Sequence, residues 1–241
     1  MLASIRSWQT ALLLVSAALL LTAPLYGQQT FVTRYDLFTG YTFLDSPHIG
    51  LSENGFHTQI GVRPKTWVSI GFDYSYSKGD LTLTPDLLPV ALQQTLGAEL
   101  AGLVAAKVIP PTYALVVPAS SVTQSFAVGP QLAYRHFSKV TLFLRPDLGA
   151  VHETATPKPT PGDPIAAAIV QQLAPAGKKS DWQGYYGFGG GFDILFSKHV
   201  AWRVQSDLVY DHLFNDLLKD GRFTVRFSVG PCFNFGRNIV E

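Results

Sequence analysis

Residues 67–77 read Trp-Val-Ser-Ile-Gly-Phe-Asp-Tyr-Ser-Tyr-Ser. Val68, Ile70, Phe72, Tyr74 and Tyr76 fall on one parity, and Ser69, Gly71, Asp73, Ser75 and Ser77 on the other. A strand turns this period of 2 into one apolar and one polar face; a helix would scatter it around its axis. Only Pro64-Lys65-Thr66 separates the segment from Gly55–Arg63, where Phe56, Ile60 and Val62 oppose His57, Gln59 and Arg63. Two such runs so close together predict an antiparallel hairpin.

The same alternation recurs outward in both directions. Upstream, 35–44 places Tyr35, Leu37, Tyr41 and Phe43 opposite Asp36, Gly40 and Thr42. Downstream, strands are predicted over 122–135, 140–152, 184–196, 200–210 and 222–235. That makes eight, an even number. The connections after the second, fourth and sixth are short, while the others span 45–54, 78–121, 153–183 and 211–221. Short turns at one end and long loops at the other are the pattern of a transmembrane β-barrel.

The chemistry of the two faces separates a membrane barrel from a soluble one. A secreted β-sandwich or lipocalin-like barrel should carry abundant Lys and Glu on its solvent face. These strands carry almost none. Their polar faces hold Gly, Ser, Thr and Gln, with Asp36, Asp73, Asp147, Asp193 and Asp207 against Arg63, Arg135, Arg145, Arg203 and Arg226. Five against five is neutral, as a narrow interior enclosing charge would need. These ten residues are therefore expected to form a barrel-interior polar network. Eight strands close a cylinder that side chains fill, so a wide diffusion pore is disfavoured.

Composition agrees. The 241 residues carry 18 Lys+Arg and 17 Asp+Glu, a net charge of +1, which excludes a basic nucleic-acid platform. Charged residues make up 15%, against roughly 25% in ordinary soluble domains. The single cysteine, Cys232, excludes an intramolecular disulfide and a multi-thiolate metal site, and is expected half-buried in the last strand. Residues 1–27 read as a secretory signal: Arg6, the apolar run Ala11–Thr22, then Ala23-Pro24-Leu25-Tyr26-Gly27. The barrel would occupy 28–241.

Two loops carry helical patterns. In 85–108, Leu88, Leu92, Leu96, Leu100 and Leu103 recur at near-helical spacing, with Pro89 placed to begin the main helix. In 163–174, Asp163 is a candidate cap and Pro164 a first helical residue. Both helices are expected to pack over the barrel mouth; contact with lipid headgroups, partner binding or poor order are the alternatives. Thr156–Gly162 is a proline-rich, exposed segment.

Candidates for chemistry are weak. His136 and His199 fall in turns. His48, His152 and His212 fall near the outer rim beside Asp45, Glu153 and Asp211, but no serine or carboxylate spacing repeats around them. Gly187, Gly189, Gly190 and Gly191 lack the Lys-Ser/Thr of a phosphate loop and alternate with aromatics, so they are barrel glycines that allow close approach or a kink. No catalytic, cofactor or metal residue is assigned.

The opening strand Tyr35–Phe43, the hairpin 55–77 and the closing strands YGFGGGFDILF, AWRVQSDLVYD and FTVRFSVGPCFNFG resemble the small outer-membrane β-barrel family. This is the eight-stranded kind found as the N-terminal domain of OmpA-type proteins. The resemblance covers 31–236 and rests on pattern rather than an invariant motif. It implies an all-β, eight-stranded antiparallel meander in the outer membrane of a Gram-negative-type bacterium, with a plugged lumen. The implied role is envelope structure, adhesion or surface recognition. The implied partners are outer-membrane lipid and lipopolysaccharide, the barrel assembly machinery during insertion, and an external ligand met through loops 78–121 and 153–183. Nucleic acid is not among them, and a monomer is expected. The chain stops soon after the eighth strand, so the periplasmic peptidoglycan-binding domain is expected to be absent, with Phe235 closing the strand. Lipid A deacylases and palmitoyl transferases share the strand count and are the enzymatic alternative; their catalytic residues find no match here. A narrow low-conductance channel is a further alternative.

Overall fold

The computed structural model describes residues 29–218 and 220–240. The expected signal segment 1–27 lies outside them. Eight strands form one closed antiparallel barrel in sequence order: β1 (Thr33–Ser46), β2 (Leu51–Lys65), β3 (Val68–Leu83), β4 (Val117–Tyr134), β5 (Val140–Pro157), β6 (Lys179–Leu195), β7 (Val200–Asp211) and β8 (Arg222–Asn238). Closure runs through β1 and β8, with Phe43 opposite Phe227 and Leu37 opposite Phe233. A closed barrel leaves no sheet edge, so every strand satisfies its backbone groups on both sides, as a lipid environment demands.

The alternation sets which face points where. Arg203 is 0% exposed, while Ile70 on the other parity is 56% exposed. Across the barrel, the exposed outward positions are mostly Tyr, Phe, Leu, Ile, Val and Trp, and most inward ones are charged or polar, with Phe38, Phe143 and Val151 among the apolar exceptions. This is a soluble protein turned inside out, and it makes the barrel a transmembrane one. Aromatic rings concentrate on the outer wall toward the loop end. Phe56, Tyr74, Phe126 and Trp182 stand in sequence across β2, β3, β4 and β6 with centroids 5.8, 5.0 and 6.2 Å apart. Trp67 and Tyr134 mark the turn end, where Tyr35 stacks on Phe235 at 5.6 Å.

The strands run further than the sequence pattern suggested. The expected 45–54 loop shrinks to a four-residue turn, 47–50, because β1 and β2 stay paired to Ser46–Leu51 and Gly50 takes a left-handed φ of 64°. Loop 78–121 narrows to 84–116 and 153–183 to 158–178, since pairing continues to Leu83–Val117 and Ala155–Lys179. Strand β8 likewise continues past Phe235 to Asn238, through Gly236 at φ 92° and a register shift against β1. Strands β4 and β5 have 18 residues each, against 12 in β7. At about 3.3 Å per residue and a tilt near 40°, 18 residues climb about 45 Å, well beyond an apolar belt of about 25 Å. The wall made by β3–β6 therefore stands above the belt on one side and carries the long loops.

Two helices sit on that wall. Helix α1 (Val90–Ala105) follows a 3-10 turn at Pro85–Leu87 and has Pro89 as its N-cap. Helix α2 (Pro164–Leu173) starts with Pro164 inside the first turn, and the Asp163 carboxylate accepts from the amides of Ile165 (3.1 Å) and Ala166 (2.9 Å). These bonds satisfy two of the amides that every helix start leaves without a partner. Leu96 of α1 packs with Ala166 of α2, Leu115 and Val117, so the helices bury their apolar sides against each other and the strand ends.

Candidate functional site

The interior divides into layers along the barrel axis. Toward the turn end, Arg203 forks onto Asp193 with Nε–Oδ1 at 2.7 Å and Nη2–Oδ2 at 2.9 Å. It also reaches Asp36 at 3.2 Å and donates to Gln59 Oε1 at 3.0 Å. Phe143 and Phe38 flank the guanidinium at 4.9 and 5.7 Å, a cation–π arrangement suited to a desolvated arginine. Below it, Arg63 lies 3.4 Å from Asp36 and donates to Thr33 and Asn234.

The middle layer gathers Arg145, Arg226, Asp73, Asp147 and Asp207. Arg145 pairs with Asp73 and, at 3.2 Å, with Asp147. Arg226 holds Asp207 through Nη2 at 2.9 Å and Nε at 3.0 Å, and lies 3.8 Å from Asp73. These partners come from β3, β5, β7 and β8, so the pairs cross the lumen and tie opposite walls together. Charges taken out of water in this way need both good geometry and further hydrogen bonds. Ser125 supplies one, accepting from Arg226 Nη1 at 3.1 Å.

Glycine makes the room. A Cβ on Gly187 would meet the carboxylate of Asp147, and one on Gly189 the carboxylate of Asp207. The glycine-rich run of β6 thus leaves space for neighbouring acids to turn into the lumen.

Of the ten residues read as an interior network, nine are buried and in ion pairs at these positions. Arg135 is different. It lies just past the end of β4, where the chain leaves the sheet, and is half-buried. It donates to Thr66 O at 2.8 Å, Thr141 Oγ1 at 2.9 Å and Gln29 Oε1 at 3.2 Å. Among the described residues it has no carboxylate within 4.0 Å.

The loop-end layer escaped the sequence reading. Arg222 pairs with Asp211 at 3.0 Å and with Glu153 at 2.6 Å, and Glu153 also accepts from Ser121 at 2.9 Å. Nearby, Glu53 accepts from Ser77 at 2.7 Å and Thr123 at 3.0 Å. Parity alone would have found them: Glu153 continues Asp147 by even steps, Asp211 continues Asp207, and Arg222 precedes Arg226. They were missed because they fell at or beyond the predicted strand ends. With them, the described interior holds eight buried carboxylates (Asp36, Glu53, Asp73, Asp147, Glu153, Asp193, Asp207 and Asp211). Against these stand five buried guanidiniums, so the expected balance of five and five does not hold.

The histidines are arranged in a way that bears on chemistry. At the rim, His152 and Glu153 are adjacent in a strand and so face opposite ways: His152 stacks on Trp182 at 4.6 Å outside, while Glu153 is buried inside. His212 packs edge-on against Tyr210 at 5.0 Å, and His48 lies 3.9 Å from Asp220. Within the lumen, His57 Nδ1 is 3.0 Å from Ser228 Oγ and its Nε2 is 3.8 Å from Asp73. Ser, His and Asp are the residue types of a nucleophilic triad. All three are at most 2% exposed, Ser228 is also bonded to Thr42 at 2.9 Å, and Asp73 is held by Arg145. Buried and already bonded on each side, the trio ties β1, β2, β3 and β8 together across the lumen.

Between the middle and loop-end charged layers, Val151, Tyr185 and Val209 form an apolar band that Leu213 and Phe214 join. At the loop end, Ile49, Leu81, Leu96, Leu115, Ile169 and Phe214 line a chamber of about 100 Å³. Tyr113 pins the two long loops to each other by donating to Asp163 Oδ2 at 2.8 Å. The backbone amide of Ala166 and then the Tyr113 hydroxyl hold the Asp163 carboxyl below the usual carboxylate range. Burial, reinforced by Asp163, pushes Tyr113 up to about 12. Cys232 is fully buried against Phe38 and Ala201, deeper than the half-buried position expected for it.

No known protein family matches the chain by sequence, and no curated protein does. Solved structures do resemble it. Neisserial surface protein A is 12% identical with a TM-score of 0.49, over 83% of this chain and 96% of that one. Ail, the attachment invasion locus protein of Yersinia pestis, in complex with the heparin analogue sucrose octasulfate, is 12% identical with a TM-score of 0.46, over 85% and 99%. The outer membrane protein OprG from Pseudomonas aeruginosa is 7% identical with a TM-score of 0.42, over 87% and 99%. On its own geometry, a closed meander with an apolar exterior and an ion-paired interior, the chain has the eight-stranded fold of the small outer-membrane β-barrels.

Proposed function

We propose that this protein sits in the outer membrane of a Gram-negative-type bacterium as a closed, non-enzymatic monomer. In this reading it acts through the surface its loops present outward, in recognition or adhesion. The observation that carries the reading is the contrast along the barrel axis. Ion pairs cross the lumen in three layers and leave the barrel no work as a wide pore. The loop end, by contrast, carries two helices, one of them capped by Asp163, fixed to each other and to a raised wall. Ordering such loops costs entropy, about 1–2 kcal/mol per residue, so loops packed this way point to a surface with a job. The apolar wall meets lipid and lipopolysaccharide, and the short-turn end faces the periplasm, where the assembly machinery acts on it.

The test is to replace residues 84–116 and 158–178 with short Gly-Ser turns and measure adhesion of bacteria displaying each form to host cells and immobilised glycans. Adhesion should fall to background, while the barrel still runs compactly in unboiled SDS and shifts on boiling. Undiminished adhesion by the trimmed barrel would overturn the reading.

A further inference from the structure

We propose that the chamber under the cap is a binding site for a small, uncharged, aliphatic molecule. Four segments remote in sequence converge on it: Ile49 from the first turn, Leu96 from α1, Ile169 from α2 and Phe214 from the β7–β8 connection. Among the described residues, the charged groups on its wall are Glu153 and Lys179. Glu153 is engaged by Arg222 and Ser121, and Lys179 by Asp216. Neither is available to hold a charged ligand. The remaining wall is almost entirely hydrocarbon, and aliphatic apart from Phe214.

Size sets the class. Interiors are packed so closely that voids larger than a water molecule are few. Water needs two to four polar partners to settle in such a space, which this wall does not offer. A comparable apolar cavity of about 150 Å³ engineered into another protein stays dry and takes up benzene. The chamber, about 100 Å³, suits a six-carbon ring or a short alkyl chain. Glu153, at its inner end, is tied to Arg222, so a charged layer stands between the chamber and the rest of the lumen. This inference goes beyond the surface-recognition reading and does not depend on it, because the ligand is held beneath the cap rather than on it.

The test uses the full chain in lipid nanodiscs, with methyl NMR of isoleucine and leucine and titration with cyclohexane. Shifts that saturate at Ile49, Leu96 and Ile169 are expected. Ala174→Leu, which fills the chamber from its wall, should weaken the apparent affinity by at least about tenfold, the equivalent of about 1.4 kcal/mol. Val170→Phe fills it from α2 and carries the same expectation should Ala174→Leu fail to fold. Hexanoate at neutral pH should produce no saturable shift. Shifts that rise linearly without saturation, or that persist in the filled variant, would overturn the proposal. Equal binding of hexanoate would overturn the uncharged class. Both substitutions leave the outer face of the cap in place, so a failed adhesion test and a failed titration are separate results.

Discussion

The lumen and the cap are both buried, and they are held by opposite means. The lumen is polar, with arginines and carboxylates fixed across the barrel on rigid strands; the cap is apolar, with leucine, isoleucine and valine gathered from loops. The outside of the barrel must be hydrocarbon to face lipid, so period-2 alternation leaves only the inside for charge. Above the lipid belt that constraint lapses, and the wall can line a space with hydrocarbon again. The lumen therefore serves as the frame and the cap as the part free to change.

The largest effect is expected at Arg226. Arg226→Leu leaves Asp207, Asp73 and Asp147 with less positive charge around them, and removing one partner from a buried ion network costs about 3–5 kcal/mol. The urea midpoint of the barrel in lipid vesicles should fall accordingly, with the cap lost along with it. Leu96→Ala strikes the other region. Truncating a buried leucine costs about 2–3 kcal/mol, here confined to α1 and α2. Hydrogen exchange should accelerate in both helices while the midpoint of the barrel stays at its wild-type value. A shared loss of protection in the strands would mean that the two regions are one unit.

Gly189→Ala sharpens the lumen account. The added Cβ lands on the Asp207 carboxylate, and overpacking of this kind costs about 1–2 kcal/mol. The same change at Gly97, on the exposed side of α1 with nothing within 4 Å, should be neutral or slightly stabilising. The smallest effect is in pH. Asp163 has a carboxyl held below its ordinary range, so its contribution to the cap is complete above that range and disappears as pH falls through the lowered value. Tyr113, raised to about 12, contributes fully below its ordinary value near 10 and loses its part as pH climbs through 12. Protection factors in α2 should therefore fall only at the two extremes of pH, and Asp163→Asn should flatten the acid limb.

The two regions were also unequally legible in the sequence. Asp73 and Arg226 could be placed inside the lumen because each sits on the small-residue parity of a strand with large apolar neighbours on either side. Glu153 and Arg222 follow the same rule, but they fall at or beyond the point where the aromatic alternation fades, and the strands continue there on backbone pairing alone. Arg135 keeps the parity but not the place, since the chain has already left the sheet. The helices α1 and α2 announced themselves through leucine spacing and the Asp163-Pro164 start. The chamber did not, because Ile49, Leu96, Ile169 and Phe214 belong to four segments that only barrel closure brings together.

Whether ion pairs or loops close this barrel is read most directly by single-channel recording in planar bilayers. The form to record is the one with 84–116 and 158–178 replaced by Gly-Ser turns. With the cap gone, the lumen should still show no steady open state, and alanine at Arg203, Arg226 and Arg222 together, one from each layer, should produce one in that background. A steady conductance from the trimmed barrel with its arginines intact would contradict the account and make the cap the closure.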